Sequence, residues 1–224
     1  MRPISFKLSA MRFDLVIFDC DGVLVDSEGI ANQVLATILC RHGASLCGED
    51  AQRIFVGQSV DAIRETALRE LGVELQANWA VGYYEELLPA LREVQAIPGV
   101  RSVLERLLSI QAPFCVASQG PPEKMSTTLE ATQLAPFFEG RVYSAKTVRR
   151  PKPAPDLFLH AAGACGVEPG RCAVVEDSHV GVMAAVAAGM TVFAYCPPSE
   201  SALMVARGAQ PIHSMKELLP ALGC

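Results

Sequence analysis

From Pro98-Gly99 onward the chain alternates short apolar, β-branched runs with helical stretches, a rhythm few architectures accept. Val100 to Ile110 carries an amphipathic helical stripe. Pro113-Phe114-Cys115-Val116-Ala117 reads as a strand, and the next helix begins near Pro121-Pro122-Glu123. Val142 to Ser144 is a short strand, followed by a basic, proline-rich loop and a helix from about Pro155 to Cys165. Cys172-Ala173-Val174-Val175 is another strand. It leads to a helix from about Ser178 to Ala188, with Gly189 as the C-terminal stop. Thr191 to Tyr195 is again a strand, and two shorter helical pieces finish the chain. Strands separated in this way by helices imply an α/β protein with a parallel sheet and helices on both faces.

One further strand of the same type stands near the start. Leu15-Val16-Ile17-Phe18 is a buried-strand run that ends in Asp19-Cys20-Asp21-Gly22. In an extended chain, residues i and i+2 point to the same side, so Asp19 and Asp21 would face one spot with Cys20 turned away. Two carboxylates that close resist joint ionisation unless a cation or a basic group stands between them. A hard divalent ion such as Mg2+ suits such oxygen ligands and keeps water and a substrate phosphate as its other ligands.

Between Ser27 and Ile97 the pattern is helical throughout. Ile30, Val34, Leu35, Ile38 and Leu39 form one stripe and Ile63, Ala67, Leu68 and Leu71 a second. Tyr83, Tyr84, Leu87, Leu88, Leu91 and Val94 form a third, with a kink expected at Pro89. These stripes read as packing faces. An all-helical block placed after the first strand should be a separate lid. The expected division is therefore a core of residues 11–26 and 98–224, an inserted cap of residues 27–97, and an N-terminal extension of residues 1–10.

Composition narrows the functional classes. The 224 residues are 50% hydrophobic and 19% charged, with a net charge of −5, so no electrostatic footprint for nucleic acid or an anionic membrane is present. No apolar run approaches a bilayer span, and the first ten residues lack the apolar stretch of a signal peptide. The eight cysteines are scattered without a CxxC pair, so neither a zinc site nor a disulfide framework is expected, and the reading is of reduced thiols in a cytoplasmic protein.

In an open α/β sheet, ligands gather at the carboxyl ends of the strands. There this chain places Asp19 and Asp21, Ser118, and the pair Glu176-Asp177, with Lys152 on the loop after a further strand. Each alone has a plain explanation: Ser118 as a helix cap, Lys152 as part of a solvated loop with Arg149 and Arg150, Glu176-Asp177 as a charged helix start. Together at one sheet edge they ask for a shared purpose.

Their order and types resemble the haloacid dehalogenase superfamily of phosphatases and mutases. DxDGxxxDS is matched from Asp19 to Ser27, a strand ending in Ser by Val116-Ala117-Ser118, Lys-Pro before a helix by Lys152-Pro153, and the acidic pair by Glu176-Asp177-Ser178. The resemblance runs from about Met11 to the end. The inserted helices look like the cap of the branch that includes β-phosphoglucomutase and small sugar phosphatases. The implied fold is a Rossmann-like parallel-sheet core with an α-helical cap.

The resemblance also implies roles. Asp19 would be the nucleophile, forming an aspartyl-phosphate, and Asp21 the general acid and then the general base. Mg2+ would be held by Asp19, the backbone carbonyl of Asp21, and Asp177, with Glu176 as a second support. Ser118, with Gln119 and Gly120 beside it, would bind the phosphoryl oxygens, and Lys152 would neutralise the transferring group. Asp26 and Ser27 fall at the family's cap hinge. Gln58 and Ser59, in the turn Val56-Gly57-Gln58-Ser59, match a cap loop that reads substrate in relatives; a helix start at Ser59 is the plainer alternative.

Among the family's reactions, Asp21 favours phosphoryl chemistry over dehalogenation, and the absence of lysine between Ser27 and Ile97 argues against a Schiff-base phosphonate enzyme. β-Phosphoglucomutase carries a histidine where this chain has Ala31, and cations where it has Val56 and Val60, which favours hydrolysis over a mutase. The runs Cys115–Met125 and Arg150–Asp156 look like bacterial phosphatases acting on sugar phosphates and 6-phosphogluconate, although Gln119 replaces their asparagine. Arg53 and Arg64 are the cap cations most able to meet an acidic sugar. The expected partner is thus a small phosphorylated metabolite, and a non-catalytic phosphometabolite-binding protein is the alternative from another class.

Overall fold

The computed structural model describes residues 11–55, 58 and 60–224. Ser59, with Val56 and Gly57 of the same turn, and the N-terminal segment 1–10 lie outside them. The chain divides into two compact units. One holds the described part of the segment up to Leu24 together with Ile97–Pro121 and Pro136–Cys224; the other holds Val25–Ala96 and Pro122–Ala135.

The first unit is built on a six-stranded parallel sheet. Its strands are β1 (Leu15–Phe18), β2 (Phe114–Ser118), β3 (Val142–Ser144), β4 (Cys172–Glu176), β5 (Thr191–Tyr195) and β6 (Gln210–Ile212), in the order β3-β2-β1-β4-β5-β6. β1 lies between β2 and β4, with Ile17 level with Cys115 on one side and Val174 on the other. β1, β2 and β4 are buried along their whole length, which is why they read as continuous apolar runs rather than alternating ones. The pleat sends Leu15 and Ile17 into one core with Cys115, Leu157, Phe158 and Val182. Phe18 goes to the opposite face, where it meets Phe114 and Phe138 edge-on.

The second unit is helical: α1 (Glu28–Arg41), α2 (Gly48–Phe55), α3 (Val60–Leu71), α4 (Trp79–Ala90) and, later in the chain, α6 (Pro122–Ala131). Pro89 sits inside the last turn of α4, and the helix tightens there into a 3₁₀ turn at Leu91–Glu93. The sheet unit adds α5 (Val100–Ser109), α7 (Asp156–Ala164), α8 (His179–Ala187), α9 (Ser201–Ala206) and α10 (Met215–Leu222). Gly189, at φ +74, ends α8 as its sequence position predicts. The strand β6 is the one that periodicity does not reveal: it is three residues long, contains Pro211, and lies at the sheet edge, where proline is tolerated. Among the described residues no helix is long and apolar enough to cross a membrane. All eight cysteines are free thiols.

Candidate active site

Parallel strands aligned in register bring their carboxyl ends to one edge, and the polar residues that close β1, β2, β3 and β4 collect there. Asp19 follows β1, its N–H bonded to the Val175 carbonyl of β4 at 2.9 Å. Ser118 ends β2 and pairs with Ser144 at the end of β3. Glu176 ends β4.

Lys152 joins these ends. It lies on the loop before α7, fully withdrawn from solvent, and its Nζ donates to Asp19 Oδ1 at 2.6 Å, Glu176 Oε1 at 2.7 Å and the Ala117 carbonyl at 3.1 Å. The ammonium also lies 4.7 Å from the centroid of the Phe158 ring. Burial would pull the Lys152 pKa down. The charges of Asp19 and Glu176 outweigh it and hold the pKa above the usual lysine value. The basic-loop explanation fits its neighbours instead: Arg149 is exposed, and Arg150 pairs at the surface with Asp156.

For Asp19 burial wins over the charges. Burial first, then the negative charges of Glu176 and Asp21, push its pKa up to about 7, against the pull of Lys152. Lys152 occupies Oδ1. The site therefore holds a carboxylate that one cation does not fully balance.

Glu176 is committed on both oxygens. Oε1 takes Lys152, while Oε2 accepts the Ser178 N–H at 2.8 Å and the Ser178 hydroxyl at 2.9 Å. Three donors thus already meet its two oxygens. The geometry makes it an anchor for Lys152. Asp177, next in the chain, lies against the backbone of Gly22: a Cβ there would fall 1.8 Å from Asp177 Oδ2. Gly22 also has φ +75, so glycine is required twice over.

Ser118 is buried, and its Oγ accepts the Gly120 N–H at 3.1 Å. The Gly120 carbonyl in turn accepts Ser144 Oγ–H at 2.7 Å. This ties the loop after β2 to the end of β3 and leaves Gln119 exposed beside it. Ser144 was not singled out from the sequence. Its signal was there: a second strand that ends in serine, at the same sheet edge.

The cap residues are placed differently. The Gln58 amide donates to the Ile54 carbonyl at 3.0 Å and accepts the Thr66 hydroxyl at 2.8 Å, so both its ends are used within the helical unit. Arg53 pairs with Asp50 at 2.5 Å, and Arg64 is exposed. Ser59 lies outside the described residues.

No three His, Cys, Asp or Glu side chains among the described residues converge as a closed metal cage. The donors fit a different kind of ion. The carboxylates of Asp19 and Asp177 would offer hard oxygen donors, Asp19 is buried beside other carboxylates, and an open set of this kind suits Mg2+, which retains waters and a substrate oxygen.

The chain is similar to proteins of one family. The family model for haloacid dehalogenase-like hydrolases matches residues 13–189. The 6-phosphogluconate phosphatase of Escherichia coli (strain K12) is 35% identical over 187 residues, 83% of each chain. A conserved haloacid dehalogenase-like protein from Agrobacterium tumefaciens str. C58 superposes with a TM-score of 0.80 at 37% identity, over 93% of this chain and 96% of its own. A HAD family hydrolase from Deinococcus radiodurans R1, solved with bound phosphate and sodium, gives 0.79 at 31% identity, over 95% and 96%.

Proposed function

Because the chain belongs to the haloacid dehalogenase-like hydrolase family and is a phosphatase, we propose that it hydrolyses small phosphorylated metabolites, sugar phosphates foremost and 6-phosphogluconate among them, with Mg2+ as cofactor. The observation that carries this reading is Lys152 Nζ bound at once to Asp19 Oδ1 and Glu176 Oε1, at a strand edge that also presents Ser118. A nucleophile held by a cation, beside a serine hydroxyl, is what a transferring phosphoryl group requires, since catalysis of that step is mostly positioning and charge stabilisation.

In the proposed mechanism Asp19 attacks phosphorus, and the bond to the leaving oxygen breaks. The carboxyl of Asp21 gives its proton to that oxygen. The resulting aspartyl-phosphate is opened by a water that loses its proton to the Asp21 carboxylate, releasing inorganic phosphate and restoring Asp19. Lys152 keeps Asp19 oriented and offsets charge on the transferring group; Ser118 donates to a phosphoryl oxygen. Asp19, Asp177 and the Asp21 carbonyl would hold Mg2+, whose positive charge would favour the ionised form of Asp19. Glu176 acts through Lys152. The residues of Val25–Ala96 would serve as the specificity cap.

Release of p-nitrophenol from p-nitrophenyl phosphate with Mg2+, compared between the wild type and Asp19→Asn, tests the reading. The wild type should turn over and the variant should lose nearly all activity; equal rates would remove Asp19 from its role. A panel of sugar phosphates including 6-phosphogluconate, ranked by kcat/KM, tests the substrate class. Hydrolysis, as against transfer within the sugar, is tested with β-glucose 1-phosphate: free phosphate should appear, and conversion to glucose 6-phosphate without it would make the protein a mutase.

A further inference from the structure

We propose that Gly181, in the first turn of α8, is a positioning residue that seats the Glu176 carboxylate and, through it, the Lys152 ammonium; only the kinetic consequence rests on the phosphatase reading. A Cβ built on Gly181 would fall 1.7 Å from Glu176 Oε1, 1.9 Å from the carboxylate carbon and 2.4 Å from Oε2. The carboxylate therefore lies flat on the helix backbone, in space that only a residue without a side chain leaves open.

The backbone does not itself call for glycine here. Gly181 lies inside a regular helix and is not among the positive-φ glycines, and glycine is a poor helix former. Gly163 of α7 supplies the contrast, because a Cβ there meets nothing within 4 Å. The end of a glutamate side chain ordinarily swings aside from an added methyl. This one is held by Lys152 on Oε1 and by the Ser178 N–H and hydroxyl on Oε2, and it is buried. The seat is itself fixed, since Ser178 Oγ accepts the Gly181 N–H at 3.0 Å and caps α8. A side chain at position 181 must displace the carboxylate, and Lys152, which bridges Glu176 to Asp19, must move with it.

The test is a thermal unfolding cycle in EDTA, so that it depends on neither metal nor substrate. Gly181→Ala should lower Tm in the wild-type background. In Glu176→Ala, or in Glu176→Ser if the first variant does not fold, the carboxylate is gone, and the same substitution should raise Tm because alanine favours helix. Gly163→Ala should raise Tm in both backgrounds. A Gly181→Ala effect of the same sign and size with and without the Glu176 carboxylate would overturn the inference. In the assay with p-nitrophenyl phosphate and Mg2+, kcat of Gly181→Ala should fall on the order of 100-fold, the loss expected from a misplaced catalytic group, with KM little changed. An unchanged kcat in an active wild type would overturn it as well. If the wild type itself releases no phosphate, the function fails, while the unfolding cycle still decides the role of Gly181.

Discussion

Lys152 and Glu176 meet at 2.7 Å with side chains only 2% and 1% exposed, in a pocket where a second carboxylate, Asp19, makes the same ammonium its partner. One cation thus serves two anions away from water. An arrangement outnumbered in charge is poor economy for folding alone, because removing ions from water is expensive and a single cation only partly compensates. It makes sense where a further positive ion and a charged substrate come and go.

Lys152→Met should expose that imbalance. With the ammonium gone, two buried carboxylates face each other uncompensated, and breaking a buried pair in this way costs about 3–5 kcal/mol. Urea unfolding should show a loss of that order, and phosphatase activity should fall to near background. A variant of wild-type stability would mean that the buried pair contributes nothing to the folded state.

The pH dependence of stability should carry the mark of Asp19. Its carboxyl titrates near pH 3.8 in the unfolded chain and about 7 in the metal-free fold, raised chiefly by burial. Over that interval the folded protein keeps a proton that the unfolded chain has lost. The contribution is fully present below pH 4 and is lost as pH rises through 7, at no more than ~1.4 kcal/mol per pH unit. In EDTA, Tm should therefore drop between pH 5 and 7.5 more steeply for the wild type than for Asp19→Asn. Saturating Mg2+ should flatten the wild-type slope. Parallel slopes in EDTA would rule the shift out.

Asp21→Asn separates acid catalysis from the rest. An alkoxide leaving from a sugar phosphate needs a proton, and p-nitrophenolate does not, so the variant should lose far more kcat/KM, which reports the steps up to phosphoryl transfer and not the shared opening of the aspartyl-phosphate, on 6-phosphogluconate than on p-nitrophenyl phosphate. General acid catalysis accounts for roughly 10²–10⁴-fold, which sets the expected gap. Equal losses on both substrates would assign Asp21 some other task.

Gly22→Ala should be penalised by two independent routes. The backbone at φ +75 disfavours any L side chain, and the new methyl meets the Asp177 carboxylate. A destabilisation of ~1–3 kcal/mol is expected from the strained backbone. The displaced Asp177 should raise the Mg2+ concentration that gives half-maximal activity. Titrating Mg2+ beside a denaturation curve measures both, and an unaltered metal requirement would separate Asp177 from the ion.

What could be read from the residues alone was local. The β1 run and its two aspartates, the serine closing β2 and the acidic pair closing β4 announce themselves because strand periodicity and a polar stop fall within a few positions. The partner of Lys152 could not be read that way: Asp19 lies 133 positions earlier, and only the parallel pairing of β2, β1 and β4 brings the two together. Spacing likewise does not show that the Glu176 carboxylate meets both Ser178 and Lys152. Nor does sequence show that the Gln58 amide bonds to Ile54 and Thr66. β6 escaped notice because Pro211 contradicts strand propensity, and the sheet edge forgives it.

The points where the helical insert leaves and returns are stitched side by side. Ile97 donates to the Leu24 carbonyl at 3.0 Å, Asp26 donates to the Gln95 carbonyl at 2.9 Å, and Val25 bridges Ala96 in antiparallel fashion. To the sheet, everything between those stitches is one excursion through a single doorway. Since the entropy of closing a long excursion grows only slowly with its length, a lineage can lengthen, shorten or exchange what hangs from that doorway and leave the strand-end chemistry undisturbed.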